Sequence, residues 1–225
     1  MRAMSHRTLI VVALAGVFAG AAPASAKVVE LGSTDAAPAC PTSPCLAVSR
    51  TTGYQIKLAD QRGSFTVPED GKIVAWSITL GKPTAEQIAF FNRNLGGPAS
   101  ARLTVLRPGT KLFSRVVTQS PVLPLAPYFG QTVQFPLGRT LNVKKGYVIA
   151  LTVPTWAPAL TPLLTDKSAW RASRAEGKCN ETSTQTAQLA LRDITQYRCL
   201  YKARLIYSAT LITRPAPTPD GNAGR

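Results

Sequence analysis

Eleven carboxylates, four cysteines and one histidine are the groups in this 225-residue sequence suited to acid–base chemistry, disulfide formation or metal binding. The histidine, His6, sits between Arg2 and Arg7, ahead of an apolar stretch from Leu9 to Ala22 that Ala24-Ser25-Ala26 follows. A basic start, an apolar centre and an A-x-A triplet describe a secretory signal peptide, cut before Lys27. At about fourteen residues the apolar stretch falls short of the roughly 20 that span a bilayer. No other run of that length occurs, so no membrane span is expected and the protein is expected outside the cytoplasm.

Processing would remove the imidazole. A Ser-His-Asp triad, a Cys-His pair and any His-ligated metal site then lack a required group. The sequence also has no G-x-S-x-G elbow and no S-x-x-K pair. It has neither a G-x-x-x-x-G-K phosphate loop nor a G-x-G-x-x-G dinucleotide loop. One catalytic route remains, glycoside cleavage or elimination by paired carboxylates. Glu69 and Asp70 fall in a turn, Glu86 in a helix first turn, and Glu30, Asp35 and Asp220 in the chain ends. Asp60, Asp166, Glu176, Glu181 and Asp193 are left as candidates, and their spacing does not bring them together.

All four cysteines, Cys40, Cys45, Cys179 and Cys199, follow the cleavage site, and an even count in an exported chain reads as disulfides. Three connectivities are possible. Cys40–Cys45 with Cys179–Cys199 is favoured, because Cys40-Pro-Thr-Ser-Pro-Cys45 is a proline-bent loop and the second pair flanks a polar excursion. The longer loop would contribute about 3 kcal/mol and the tighter one about 2 kcal/mol. A zinc site is disfavoured because no C-x-x-C pair occurs. No metal or other cofactor is expected.

Binding has more support than catalysis. The formal net charge is +15, or +13 once Arg2 and Arg7 are gone. Such an excess favours anionic partners, although it also serves solubility. Trp156 lies between prolines, where an exposed ring would offer a stacking platform for a sugar. Trp170 stands among Lys167, Arg171 and Arg174 in the most basic part of the chain, which runs to Arg204. Trp156, Trp170, Arg171 and Arg174 are therefore the candidate ligand-binding residues. On this reading Trp156→Ala should weaken polysaccharide binding and leave stability almost unchanged. The opposing expectation is that both tryptophans plug the end of the fold. Nucleic acid is not expected, because the tyrosines of the last strand point away from its arginines.

The elements that must position these residues are short β-branched and aromatic runs between Gly and Pro clusters, the pattern of an all-β sandwich or barrel. Lys72–Leu80 alternates with Val74, Trp76, Ile78 and Leu80 on one face, Trp76 being a core anchor. Pro68-Glu69-Asp70-Gly71 signals a tight hairpin before it. One helix is expected at about 84–95. It starts with a capping box, Thr84 to Gln87, carries the stripe Ile88, Phe91 and Leu95, and stops at Gly96-Gly97-Pro98. Further strands follow at Ala101–Arg107, Leu112–Gln119, Thr132–Phe135, Thr140–Val143 and Tyr147–Val153. Between them, Ser120–Gly130 reads as a crossing between sheets and Pro154–Leu164 as a loop. A single long strand, Tyr197 to Ile212, closes the domain. Residues 27–45 form a lead-in, 46–213 one domain, and 214–225 a disordered tail.

Around ten strands, one helix and long crossovers suggest a jelly-roll β-sandwich. The segments "GSFTVPEDGKIVAWSITLG", "ARLTVLRPG" and "VQFPLGRTLNVKKGYVIAL", within residues 63–153, resemble the galactose-binding-like jelly-roll domains of secreted bacterial proteins. That resemblance implies carbohydrate or surface binding and transfers no site residue. The expectation is thus a secreted, non-catalytic β-sandwich that binds an anionic polysaccharide or envelope polymer. A histidine-free glycoside hydrolase or lyase is the alternative.

Overall fold

The computed structural model describes residues 25–38, 46–162, 167–174, 176–181 and 186–214. Within them fifteen strands and one α-helix follow in order. The first half holds β1 (Val28–Gly32), β2 (Val48–Leu58), β3 (Gln61–Arg62), β4 (Gly71–Thr79), α1 (Ala85–Asn94), β5 (Ser100–Pro108), β6 (Phe113–Gln119) and β7 (Leu123–Pro124). The second holds β8 (Thr132–Val143), β9 (Val148–Ala157), β10 (Leu160–Pro162), β11 (Ala169–Ala172), β12 (Ile194–Gln196), β13 (Cys199–Tyr201), β14 (Ala203–Leu205) and β15 (Tyr207–Thr213). Most of the expected leader (residues 1–24), the expected Cys40–Cys45 pair, the candidate Asp166 and the expected tail from residue 215 lie outside the described residues.

The fold is mostly β, with one short helix, as the turn-punctuated pattern predicts. A smaller antiparallel sheet has the order β1-β15-β4-β8. A larger one runs β12-β6-β5-β9-β2-β11-β13, with β3 added to β2 and β7 to β5, and it stays open at both ends. β10 and β14 form a separate ribbon. One buried cluster joins the sheets: Trp76, Ile78, Tyr207 and Leu211 from the smaller meet Leu103, Ile149, Leu151 and Trp156 from the larger. The arrangement is sandwich-like.

Bulges account for most departures from simple alternation. Val74 is skipped in both ladders of β4, since Ile73 pairs with Leu211 and Leu141 while Ala75 pairs with Thr210 and Pro136. One extra residue inverts the face that follows it. Ile73, rather than Val74, therefore joins Trp76 and Ile78 in the core. On the opposing strand the same irregularity leaves Leu137–Thr140 between paired segments, so the two predicted strands there are one, β8.

The hairpin expected at Pro68–Gly71 is instead a crossing between sheets. The Val67 N–H donates to Tyr147 O (2.8 Å) and Thr66 bridges to Val148 in the larger sheet, whereas Gly71 opens β4 in the smaller. Ser120–Gly130 likewise links β6 of the larger sheet to β8 of the smaller, as expected. The predicted final strand divides into β13, β14 and β15, which pair with β11, β10 and β1/β4 respectively, and β12 just before it pairs with β6. The predicted apolar side holds from Cys199 onward, with Cys199, Ala203, Leu205, Tyr207, Ala209 and Leu211 in the central cluster. Arg204, Ile206 and Ser208 on the other side are buried as well, and Tyr197 packs in a separate cluster with Leu106, Val116 and Ala150.

The helix begins and ends as the sequence predicts. The Gln87 N–H donates to Thr84 Oγ1 (3.3 Å), and the Thr84 N–H donates to Gln87 Oε1 (2.8 Å). Ile88, Phe91 and Leu95 turn toward the core, and Gly96 and Gly97 stop the helix with positive φ. Phe91 lies 4.8 Å from Trp156, ring centre to ring centre. The helix therefore covers the end of β9.

Candidate functional site

Trp156 belongs to the interior. β9 runs on through Pro154, where the sequence predicts a loop, because a bulge sets Arg50 opposite Pro154 and Thr155: Thr51 pairs with Val153 and Ser49 with Trp156. Proline has no N–H for the ladder, and a bulge is a place where a sheet tolerates one. Arg50 takes a positive φ of 42° there. Trp156 is consequently 0% exposed between Phe91 and Phe129. Its Nε1–H donates to Asn92 Oδ1 (3.0 Å) and Gly97 O (3.1 Å). The exposed platform expected at Trp156 is thus corrected, since ring and N–H are both committed to packing under α1.

Trp170 is also buried. It stacks on Tyr201 at 4.8 Å, and Gly53 makes room for it, because a Cβ there would meet its ring at 2.6 Å. The Arg174 guanidinium lies 5.3 Å over the other ring of that stack, Tyr201, and donates to Tyr201 Oη and Cys179 O. Burial lowers its pKa, while Tyr201 works in the opposite direction. Arg171 points to the opposite side of β11 from Trp170, and its Nη1 donates to Tyr197 O and Arg198 O, both at 3.2 Å. Trp170 and Arg174 therefore meet through Tyr201 in a brace beside the Cys179–Cys199 disulfide, and Arg171 stands apart. Both guanidiniums hold backbone carbonyls. The expected partner of Cys179 is the one found; Cys40 and Cys45 lie outside the described residues.

The four carboxylate candidates among the described residues each engage a different partner. Asp60 pairs with Lys57 (2.8 Å), Glu176 with Arg198 (3.1 Å) and Glu181 with Lys178 (2.7 Å). Asp193 Oδ2 accepts the Ala190 N–H (3.1 Å). No cluster of three or more metal-ligating side chains occurs among the described residues.

The structure instead brings together a set of residues that sequence spacing does not connect. β12 pairs only with Phe113–Arg115, so β6 continues past it as the sheet edge and faces β8, the edge of the smaller sheet. Between them lies a groove of about 630 Å³, flanked by Arg102 and Arg139 and lined by Gln119, Asn142, Leu189 and Leu191 among others. None of its lining residues is acidic. Val117 and Asn142 also line a smaller groove of about 190 Å³ holding Lys144, Tyr147, Arg214 and one carboxylate, Asp70. The two grooves therefore adjoin.

The wall formed by Leu189 and Leu191 is anchored by a polar network on the outer face of the larger sheet. Thr104 Oγ1 lies 2.6 Å from Thr152 Oγ1, which lies 2.9 Å from Thr52 Oγ1. Thr52 Oγ1 accepts the Gln188 N–H (3.0 Å), and Gln119 Nε2 donates to Gln188 O (3.0 Å). Tyr197 Oη donates to Gln188 Oε1, and burial drives the Tyr197 pKa upward. Arg102 Nη2 donates to Leu189 O, burial lowers its pKa, and its Nε is buried without a hydrogen-bond partner. Guanidinium remains charged under any ordinary condition, so the groove keeps a cation at this wall. The predicted alternation of β5 already sets Arg102 opposite Leu103. Arg139 carries no comparable signal, because its position depends on the packing of β8 beside β6.

No protein-family model matches the chain, and neither a curated protein nor a solved structure matches it.

Proposed function

We propose that this protein is an exported, non-catalytic binding module of the cell envelope whose arginine-flanked groove holds an anionic, extended polymer such as an acidic glycan or wall polymer. The observation that carries this reading is the groove of Arg102 and Arg139 with no acidic lining residue. Its continuation toward Lys144 and Arg214 suits a chain-like ligand better than a small one. Fixed cations at intervals recognise repeated anions, while Gln119 and Asn142 offer hydrogen bonds to hydroxyls. A jelly-roll ancestry and removal of residues 1–26 on export belong to the same proposal and rest on the sequence.

Calorimetric titration with soluble polygalacturonate, with neutral dextran as control, tests it. Binding should occur with the acidic polymer alone and fade between about 0.02 M and about 0.5 M salt, because screening weakens exposed charge contacts. Arg139→Gln, at an exposed position, should weaken it roughly threefold. Equal binding of dextran, or affinity indifferent to both salt and Arg139→Gln, overturns the proposal.

A further inference from the structure

Nine large apolar side chains stand exposed among the described residues, and five of them, Phe113, Val122, Leu189, Leu191 and Ile194, are spread along the β6–β12 edge of the larger sheet. Phe113 and Ile194 line one groove there and Leu189 and Leu191 another. Phe113 opens β6, Val122 follows its end, and Ile194 opens the terminal strand β12. Leu191 is 60% exposed. Arginines accompany them throughout. Ile194 is the cross-strand partner of Arg115, and Phe113, Ile194, Arg107 and Arg115 line a third groove of about 220 Å³ that has no acidic lining residue. Leu189 and Leu191 line the larger groove with Arg102 and Arg139. Between residues 186 and 196 the one acidic side chain is Asp193, whose carboxylate is engaged by the Ala190 N–H.

We propose that this edge docks on an anionic lipid surface, with the arginines against the phosphates and Phe113, Leu189, Leu191 and Ile194 entering the interfacial layer. Exposed aliphatic and aromatic groups among cations of one sign are the composition that binds such surfaces. Arginine also suits the phosphate geometry. A second copy of the chain is the poorer occupant, because a symmetric contact would set this arginine-rich edge against itself. A shaped protein partner is poorer too, because these side chains stand exposed instead of lining an enclosed apolar pocket. The proposal goes beyond the polymer reading and does not depend on it.

The experiment is co-sedimentation with phosphatidylcholine vesicles, with and without about 30% phosphatidylglycerol. It is run in parallel with polygalacturonate titration and sedimentation velocity. The protein should sediment with the anionic vesicles only. The double variant Phe113→Ser with Ile194→Ser, at exposed positions outside the Arg102–Arg139 groove where the change in melting temperature should be small, should bind roughly tenfold more weakly. Arg115→Gln should lose about fivefold, the contribution of one basic side chain near an anionic surface. Polygalacturonate binding should be the same in the double variant. Vesicle binding without polymer binding leaves this proposal standing and removes the other. Polymer binding without vesicle binding does the reverse. Vesicle binding unaffected by the double variant, or a dimer that the double variant abolishes, overturns the lipid assignment.

Discussion

Arg204 shows how a single side chain can reverse the reading of its surroundings. Alternation predicts it on the polar side of the last strand, yet it is only 9% exposed. Its Nη2 donates to Ser33 O (3.0 Å) and Ser33 Oγ (2.9 Å) and pairs with Asp35, tying the segment after β1 to β14. Arg204→Ala should therefore cost about 1–3 kcal/mol, measured by urea unfolding. The Ser33 hydroxyl and then Arg204 hold the Asp35 carboxyl below its usual range. A depressed carboxylate stabilises the fold above its unfolded-state pKa of about 3.9 and loses that contribution as pH falls through the lower folded value. The stability difference between the wild type and Asp35→Asn should accordingly be constant near neutral pH and close below pH about 4. Asp35 is well exposed, so the difference should be small. Trp156→Ala carries the larger penalty. It empties a fully buried ring site and frees Asn92 and Gly97 O, and should cost about 3–5 kcal/mol. A melting temperature unchanged by Trp156→Ala would mean that the ring lies outside the core after all.

Among the elements, the stretch that closes with Cys179–Cys199 has the most consequence for the groove. The bridge spans 20 residues of sequence, and replacing both cysteines with serine should lower the unfolding free energy by about 3 kcal/mol. Groove affinity should survive that change, because Gln188 is held independently by Thr52, Gln119 and Tyr197. Gln188→Ala should do the opposite to the groove, loosening the Leu189–Leu191 wall and admitting proteolysis there. The sequence made the helix legible through its capping box and apolar stripe, and the pairing of Cys179 with Cys199 through the polar stretch between them. It made the core face of residues 199–211 legible through period-two alternation. Alternation reports only which side of a strand faces the core, so the two changes of sheet partner within that run left no trace in it. The bulges at Val74 and beside Pro154 are set by cross-strand neighbours far along the chain. They moved Ile73 and Trp156 inward against the local pattern. Arg102 and Arg139 share a groove only because β6 and β8 are edges of different sheets, a relation that no local spacing encodes.

At the scale of the whole molecule the question is whether two open sheets behave as one unit. Their inner faces share a single buried cluster, and the Tyr207 hydroxyl on the smaller sheet donates to Ile149 O on the larger (3.0 Å). Burial pushes the Tyr207 hydroxyl far above the usual phenol range, so it stays protonated and keeps donating in strong alkali until the core opens. Trp76 reports on the smaller sheet, and Trp156 and Trp170 on the larger. Two-state unfolding is therefore expected, with tryptophan fluorescence and far-ultraviolet circular dichroism tracing the same transition in urea. Tyr207→Phe should lower the unfolding free energy by about 1 kcal/mol, and the single midpoint with it, while leaving the probes coincident, because it removes one hydrogen bond and little packing. A ligand seated across β6 and β8 touches both sheets at once. A saturating polyanion should then raise the common midpoint without separating the probes, by an amount set by its concentration relative to its Kd. Two resolved transitions, or a midpoint raised for the larger sheet alone, would show that the sheets open separately and that the groove between their edges is not a fixed part of the folded state.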